Sequence, residues 1–521
     1  MLVPRPVCTR HYTAIRRGFL GESHAAPRAA TIDWFRQQQI DMIPGDGLLP
    51  ATVPSTVDNY VTALAQFGTF SLEAVVGPAL ELASNGFPLY HSLLARIHEC
   101  ADCFREQWPA SGELYLRAGQ VPQWGDLQTN PGVANLLQKM IAAERGAAGR
   151  GRVAGLDAAR DLFYTGFPAE RIAEFARDTR VEDVTGQAHS GLLNYDDLAS
   201  FRASVENTIS VEYYGLQVHK CSSWSQGPVF CQQLKLLEGF DLEAMGHNQT
   251  DYIHTLIECA KLAFADREFH YGDPAFVSVP LQRLLSSNYA AERRALVDPQ
   301  RASLELRPGD LPAQPLAPRA MDPGPHGGDT TGAVAVDAEG NMIAITPSGG
   351  WIHSSPVIPE LGFPLGTRGQ MFSLDPEHPN ALHPGKRPRT TLSPSLVTRL
   401  GRPWMVFQTP GGDQQDQWTL QFFLNLVHFK MGMQQALDAP LFHSEHFPAS
   451  FYPHDQAPGR VVIEERIAQS TRDELSARGH DVQTCGAWEL GRVMGIRLDK
   501  ERGFVYGGAS PRGETAYALG W

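Results

Sequence analysis

The chain has 521 residues, of which 42% are hydrophobic, and it carries 44 Lys and Arg against 57 Asp and Glu. The net charge of −13 leaves no basic surface for nucleic acid or for an anionic membrane. The composition is typical of a globular protein with a large core, and no apolar window of about 18 residues predicts a transmembrane helix. The first 20 residues contain no apolar segment of a secretory signal, so we expect a cytoplasmic protein.

The first half of the chain alternates helical and strand patterns. Apolar residues at helical spacing predict helices over residues 55–67, 72–85 and 251–268. A run rich in β-branched residues predicts a strand over residues 208–218. This alternation favours a layered α+β domain.

Two of the seven cysteines, Cys100 and Cys103, lie one helical turn apart in a further predicted helix, residues 91–104. A redox motif would require a strand before the pair, and a zinc site would require a second pair. We therefore expect no metal and no cofactor.

A segment rich in proline and glycine, residues 301–329, precedes a predicted β-hairpin. Proline and glycine at this density exclude a helix or a central strand and predict an exposed loop that can be cleaved. Two short apolar runs then follow, residues 332–336 and 342–345, joined by the turn sequence DAEGN. Farther on, residues 404–409 predict a strand and residues 417–429 an amphipathic helix.

Thr330 lies where the loop ends and the hairpin begins. A cut between Asp329 and Thr330 would give this threonine a free α-amine beside its own hydroxyl, which is the threonine form of an N-terminal nucleophile. An α-amine has a reference pKa of about 7.7–8.0, and a general base works best near the operating pH. The short motif alone also fits an ordinary hairpin after a loop.

Several motifs, in order between residues 27 and 521, resemble the γ-glutamyltransferase (γ-glutamyltranspeptidase) family. TTGAVAVDAEGN resembles the family's T-T-H-Y-S-V-x-D-x-x-G-N, and PGKRPRTTLSP resembles P-x-K-R-P-x-S-S-M-S-P. TPGGD is similar to S-P-G-G-S, and KLAFADREFHYGDPAF to A-F-A-D-R-x-x-Y-L-G-D-P. The resemblance implies the four-layer αββα sandwich of N-terminal-nucleophile hydrolases. It also implies a precursor that cleaves itself into a large chain, 1–329, and a small chain, 330–521, interleaved in one domain.

The resemblance also implies roles for individual residues. Thr330 would be the nucleophile, and the backbone N–H groups of Gly411 and Gly412 would form the oxyanion hole. Ser348 falls where the family has a threonine that hydrogen-bonds the nucleophile. Thr390 and Thr391 fall on a serine pair that holds a carboxylate or borders the oxyanion. An ordinary turn at the two glycines, and ordinary capping or turn hydroxyls at the other three, remain the structural alternatives.

The substrate pocket departs from the family pattern. An ungapped alignment of residues 362–373 puts Arg368 on the family's glutamine and puts Gln370 and Met371 on its two acids. Gly350 replaces an asparagine that holds the same glutamyl head group. A buried site rejects a charge that it cannot pair, so these residues favour a small carboxylate-bearing amide over a zwitterionic γ-glutamyl group. Arg368 as a structural ion-pair arginine is the other interpretation.

The sequence therefore predicts a self-processing amidohydrolase, similar to family members that hydrolyse oxamate. A γ-glutamyl transpeptidase or glutathione hydrolase is the first alternative. A non-catalytic relative is the second, because the family's opening G-G-N-A-x-D-A-A-V-A helix is not found before Glu22. The expected partners are a small-molecule amide and the two chains of one precursor, with a higher oligomer left open.

Overall fold

The computed structural model describes residues 3–4, 19–20, 25–316 and 330–520, and these fall into two compact units. Unit 1 contains the described parts of Met1–Gly18, Asn207–Pro347 and Arg389–Trp521. Unit 2 contains the described parts of Phe19–Glu206 together with Ser348–Pro388. Each unit combines residues from both sides of Thr330. The division into chains 1–329 and 330–521, and their union in one domain, stay predictions.

An antiparallel sheet of seven described strands forms the centre of unit 1. In spatial order the strands are Val3–Pro4, Phe504–Ala509, Met494–Asp499, Arg402–Gln408, Ser395–Arg399, Leu216–Lys220 and Ile209–Tyr213. The predicted strand 404–409 is thereby confirmed as a central strand that ends at Gln408. Its side chains are fully buried from Met405 onward, as expected for a strand covered on both faces.

The predicted single strand 208–218 is wrong, because the structure divides it into a hairpin. Ile209–Tyr213 pairs with Leu216–Lys220, and the two residues between them turn the chain. Tyr214 and Gly215 have φ values of 49° and 77°, the left-handed backbone of a two-residue hairpin turn. Because β-branched residues occur on both sides of the turn, Gly215 is the one residue in the sequence that indicates the turn.

The predicted hairpin after Thr330 is confirmed as Ala333–Val336 paired with Met342–Ile345. Gly340, at φ 86°, allows its tight turn, and the Asp337 carboxylate accepts a hydrogen bond from Asn341 N. The hairpin packs against three strands of the central sheet, Arg402–Gln408, Met494–Asp499 and Ser395–Arg399. It therefore adds a second β layer to unit 1.

Helices cover the central sheet of unit 1. Gly227–Leu237 and Gln415–Val427 pack beside it, and their rings meet those of the sheet where Phe230, Phe407 and Phe423 contact one another. Thr250–His270 packs on Gly227–Leu237, and this confirms the predicted helices 251–268 and 417–429 to within two residues at each end. The shorter α-helices are Leu242–Met245, Leu281–Leu284, Ser287–Arg294, Met433–Asp438 and Gln469–Ala477, with a 3₁₀ turn at Gly412–Gln414.

Smaller strand groups complete unit 1. One sheet contains Phe442–Ser444, Arg460–Glu464 and Asp481–Cys485. Glu305–Leu306 pairs with Gln314–Pro315, and Leu306 is buried, so the first part of the predicted exposed loop is partly covered. The rest of that loop, residues 317–329, lies outside the described residues.

Unit 2 is mainly helical. Its α-helices are Ile32–Gln37, Thr56–Phe67, Leu72–Asn85, His91–Glu106, Pro109–Tyr115, Pro131–Ala147, Arg152–Thr165, Phe167–Asp178 and Tyr195–Ala199. Short strand pairs join Phe19–Leu20 to Val205–Glu206, Phe87–Pro88 to Leu127–Gln128, Val181–Glu182 to Ala188–His189, and Val357–Ile358 to Phe363–Pro364. Two 3₁₀ turns are Ala148–Arg150 and Arg368–Met371. The predicted helices 55–67 and 72–85 are confirmed, and Ser71 caps the second by accepting from Ala74 N.

The surroundings of the two cysteines in the helix His91–Glu106 keep their thiols unreactive. Burial raises the pKa of the Cys100 thiol to about 11 and that of Cys103 to about 12, so both stay protonated near neutral pH. No group of three metal-ligating side chains occurs within the part of the chain that the structure describes. None of the described helices is both long and apolar enough to cross a membrane.

Candidate active site

Thr330 is the first residue that the structure describes after residue 316, and its side chain is buried. The next residue continues the hairpin ladder, since Thr331 N donates to Pro347 O at 3.1 Å. The position of Thr330 is thus fixed by the strand that follows it. Asp329, the other side of the predicted cleavage bond, lies outside the described residues.

The predicted oxyanion residues lie in a glycine loop, residues 409–413, between the strand Arg402–Gln408 and the helix Gln415–Val427. Gly411 and Gly412 have φ values of 130° and 57°, in the region that glycine tolerates best. A Cβ on Gly411 would also overlap the Trp418 ring. Neither glycine N–H donates a hydrogen bond to another described residue. The loop therefore presents two N–H donors in sequence, as an oxyanion hole requires.

The predicted hydroxyl pair lies on a buried, extended segment of unit 1. Thr390 N donates to Trp224 O at 2.8 Å, and Gln226 N donates to Thr390 O at 2.9 Å. Thr390 and Thr391 are at most 1% exposed, and neither hydroxyl has a hydrogen-bond partner among the described residues. Buried polar atoms are normally bonded, so two such hydroxyls fit a site that binds a polar ligand.

Gln226 joins these two segments, although no motif in the sequence indicated it. Its backbone N–H holds Thr390, while its side-chain Nε2 donates to Asp413 O at 3.2 Å and lies 3.5 Å from Gly412 O. Gln226 itself is fully buried. One residue therefore fixes the distance between the hydroxyl pair and the glycine loop.

Ser348 and Arg368 belong to unit 2, where the structure brings their segments together. Gly349 O accepts from Thr367 N at 2.6 Å. Gly349 has φ 115°, and a Cβ there would come within 2.9 Å of Arg368 Cγ, so the arginine stem packs directly on this glycine. Arg368 is 1% exposed, which places a positive charge inside the unit beside the segment that starts at Ser348.

Gln370, which falls on one of the family's acids, is tied to the backbone of unit 2. Its side-chain Nε2 donates to Gly45 O and to Thr367 O, each at 3.0 Å. Gly350 borders a cavity of about 220 Å³ within unit 2, together with Tyr90, Tyr115 and Trp351. No acidic side chain lines this cavity.

Comparison with known proteins identifies the family of the chain. The family model described as gamma-glutamyltranspeptidase matches residues 12–520. The chain belongs to the γ-glutamyltranspeptidase family.

Individual members and solved structures are similar to this γ-glutamyltranspeptidase-family protein over nearly its whole chain. It is 28% identical to a glutathione hydrolase proenzyme of Pseudomonas sp. (strain A14), over 97% of this chain and 84% of that protein. The solved structure of LmbA2991HD has a TM-score of 0.92 at 39% identity and covers all of this chain and 89% of its own. The cephalosporin acylase from Bacillus halodurans has a TM-score of 0.80 at 27% identity, over 97% of this chain and 85% of its own. The predictions of a hydrolase, of this family and of the N-terminal-nucleophile hydrolase fold are thereby confirmed.

A buried ion pair between Arg267 and Asp413 holds the end of the glycine loop. Arg267 Nη1 donates to Asp413 Oδ1, and the Ser450 hydroxyl donates to the same oxygen at 2.6 Å. Ser450 N donates to the second oxygen at 2.8 Å. The Asp413 carboxylate is thus held by three donors, which fixes the end of the loop.

The ion pair extends to the hydroxyl segment. Glu268 accepts from Arg267 Nη2 at 2.6 Å and from Arg389 Nη2 at 3.0 Å, and Arg389 directly precedes Thr390. Burial lowers the pKa of Arg267, but the carboxylates of Asp413 and Glu268 raise it more, and the net direction is upward. The four side chains, Arg267, Asp413, Glu268 and Arg389, therefore join both segments into one framework. Arg267 and Asp413 both lie in motifs that carried the family resemblance, but a pairing across 146 positions has no local signal.

Loss of the Asp413 charge should destabilise unit 1. We expect Asp413→Asn to lower the free energy of unfolding by about 3 kcal/mol, because removing one partner leaves a buried charge undercompensated. The measurement is urea unfolding in a Thr330→Ala background, where the chain stays continuous. Asp310→Asn is the matched control, since Asp310 pairs with Arg283 at half-exposed positions, where solvent screens the pair and its contribution to stability is small. Equal effects of the two substitutions would contradict a structural role for the buried pair.

Proposed function

We propose that this protein is a self-processing amidohydrolase whose nucleophile is Thr330. The supporting observation is the arrangement in unit 1, where the strand that starts after Thr330 packs on the strand that leads into the Gly411–Gly412 loop. A nucleophile and a pair of N–H donors on adjoining rigid strands are the two parts that acyl transfer requires.

Self-cleavage comes first in this proposal. The Thr330 hydroxyl attacks the Asp329 carbonyl carbon, and the peptide nitrogen leaves as the α-amine of Thr330, so the amide becomes an ester. Water then hydrolyses the ester, which frees the hydroxyl and leaves a carboxylate on Asp329. The product carries both the nucleophile and its base on one residue.

Turnover then uses the same groups. The α-amine of Thr330 takes the hydroxyl proton as the oxygen attacks the substrate amide, and the Gly411 and Gly412 N–H groups hold the oxyanion. The protonated amine gives its proton to the leaving nitrogen, and an acyl-enzyme ester remains. Water, deprotonated by the α-amine, releases the acid. Each oxyanion donor contributes about 2.7–4 kcal/mol to such a transition state.

The proposed substrate is a small carboxylate-bearing amide such as oxamate. Arg368 supports this choice, since its buried guanidinium lies beside the segment 348–350 and can pair with a carboxylate. The positions of the family's two acids carry Gln370 and Met371, so the receptor for an α-ammonium is missing. The second candidate is glutathione hydrolysis or γ-glutamyl transfer, and the similarity to a glutathione hydrolase proenzyme of Pseudomonas favours the hydrolysis.

A comparison of substrates tests this proposal. We expect faster release of ammonia from oxamate than of nitroaniline from a γ-glutamyl nitroanilide, with water as the main acceptor. Arg368→Ala should raise KM for oxamate about 10- to 150-fold, because a charge-assisted hydrogen bond contributes about 1.5–3 kcal/mol. Arg368→Lys, which keeps the charge but loses the planar fork, should have a smaller effect.

Thermal unfolding of both Arg368 variants controls for loss of the fold. The opposite result would be efficient transfer of a γ-glutamyl group to glycylglycine that Arg368→Ala leaves undiminished. That result would assign the protein to the ordinary transpeptidases.

A further inference from the structure

The side chain of Gln408 packs on the backbone of Gly332, between the two β layers of unit 1. Gln408 is the last residue of the strand Arg402–Gln408 and is 0% exposed. A Cβ placed on Gly332 would overlap the nitrogen, carbon and oxygen of the Gln408 carboxamide. Each of these atoms would lie less than 3.0 Å from the Cβ, which is closer than Cβ atoms approach other atoms in proteins. Gly332 has no positive φ, so the contact itself, and not the backbone conformation, requires glycine here.

The same carboxamide reaches the other strand of the hairpin. Thr346 Oγ1 donates to Gln408 Oε1 at 3.4 Å, while Gln408 itself pairs with Met494 in the central sheet. One side chain therefore contacts both strands of the hairpin at its open end, from a rigid central strand. Because Thr331 N is bonded to Pro347 O, this contact fixes the end of the hairpin at which Thr330 lies.

A purely structural role does not account for a glutamine at position 408. Its Nε2 has no hydrogen-bond partner among the described residues, although burying an amide without its bonds is unfavourable. An apolar side chain would pack there without that penalty. A buried polar group with unmet bonding is a feature that asks for a functional explanation.

The positions of Gly332 and Gln408 in the sequence suggest a function for this contact. Gly332 lies two residues after Thr330, and Gln408 lies three residues before Gly411. The contact between them thus connects the nucleophile to the oxyanion donors by a short and rigid path. Misplacement of a reacting group by about 1 Å can lower a rate about 100-fold.

We propose that Gln408 is a positioning residue that holds the Thr330 strand at a fixed distance from the Gly411–Gly412 loop. This inference rests on the proposed function. Gln408 acts through Gly332 and Thr346 and does not itself exchange a proton or bind the oxyanion. It was not among the residues that the sequence motifs indicated, since its partner lies 76 positions away.

The rate of self-cleavage tests the proposal without any external substrate. The full chain is made by cell-free synthesis, and the fraction left intact is followed on denaturing gels. Gly332→Ala should slow cleavage by about 100-fold, because the new methyl group displaces the carboxamide. Gln408→Ala should slow it by about 10-fold, because the strand loses its support.

The double variant Gly332→Ala/Gln408→Ala gives the decisive comparison. Removal of the carboxamide makes room for the methyl group, so the double variant should cleave at the rate of Gln408→Ala and at least tenfold faster than Gly332→Ala. Gly146→Ala is the matched control, since no atom lies within 4 Å of a Cβ there, and it should behave as wild type.

Thermal unfolding separates positioning from general damage. The rate loss of Gln408→Ala should persist when cleavage is compared at equal distance below each melting temperature. In the processed protein, kcat for oxamate should fall while KM changes little. If Gly332→Ala fails to fold, Gln408→Asn supplies the test. Its shorter side chain keeps only part of the contact, so the Gln408→Asn chain should cleave itself at a rate between those of Gln408→Ala and the wild type.

Two outcomes would overturn the inference. A double variant as slow as Gly332→Ala would show that the methyl group collides with something else, and a Gln408→Ala chain that cleaves at the wild-type rate would show that no positioning is needed. In both cases the wild type would still cleave itself. A wild type that never cleaves would instead refute the proposed function.

Discussion

Thr330→Ala should remain a single chain of 57.2 kDa, whereas the wild type should separate into two fragments on a denaturing gel. Dividing this mass in proportion to the lengths of 1–329 and 330–521 gives fragments of about 36 and about 21 kDa. The effect is all-or-none, because alanine has no hydroxyl to attack the Asp329 carbonyl. Loss of cleavage also removes the free α-amine, so amide turnover should disappear with it.

Two neighbouring substitutions control this experiment. Thr330→Ser keeps a hydroxyl and should still cleave, while Thr331→Ala changes the adjacent, exposed threonine and should leave the fragments unchanged. N-terminal sequencing of the smaller fragment should begin with two threonines. A wild type that stays intact, or a Thr330→Ala chain that is cut at the same bond, would favour the non-catalytic alternative.

Gly412→Val should lower turnover of the processed protein by about 100-fold or more, the effect of losing one oxyanion donor. Gly412 has φ 57°, where a β-branched residue is strained, and its Cβ would come within 3.1 Å of the Phe451 ring. Relief of either conflict moves the loop and its N–H groups. Turnover is measured as ammonia released from oxamate, divided by the fraction of chains that carry an N-terminal threonine.

Gly401→Val provides a matched control for backbone strain. Gly401 also has a positive φ, 72°, but a Cβ there meets no atom within 4 Å, and the residue lies in the turn between two strands of the central sheet. It should lose stability without losing turnover. A folded Gly412→Val protein with wild-type turnover would place the oxyanion donors elsewhere.

The elements that could be predicted from the sequence are those whose signal is local. The helix Leu72–Asn85 follows from the helical spacing of its apolar residues, and the hairpin after Thr330 follows from two apolar runs around a turn. The turn at Tyr214–Gly215 was missed for a local reason as well. The same β-branched composition fills both strands, so composition alone gives no boundary between them.

The candidate site shows the same division between local and distant signals. The motifs and their order can be read from the sequence alone, and they indicate the candidate nucleophile Thr330, the glycines of the loop and the hydroxyl pair. The contacts that hold these residues in place are visible only in the fold: Gln226 between two segments, Arg267 on Asp413, and Gln408 on Gly332. Such contacts depend on which distant strands and helices pack together. Packing is set by the shape of the whole unit, so no short stretch of the chain contains it.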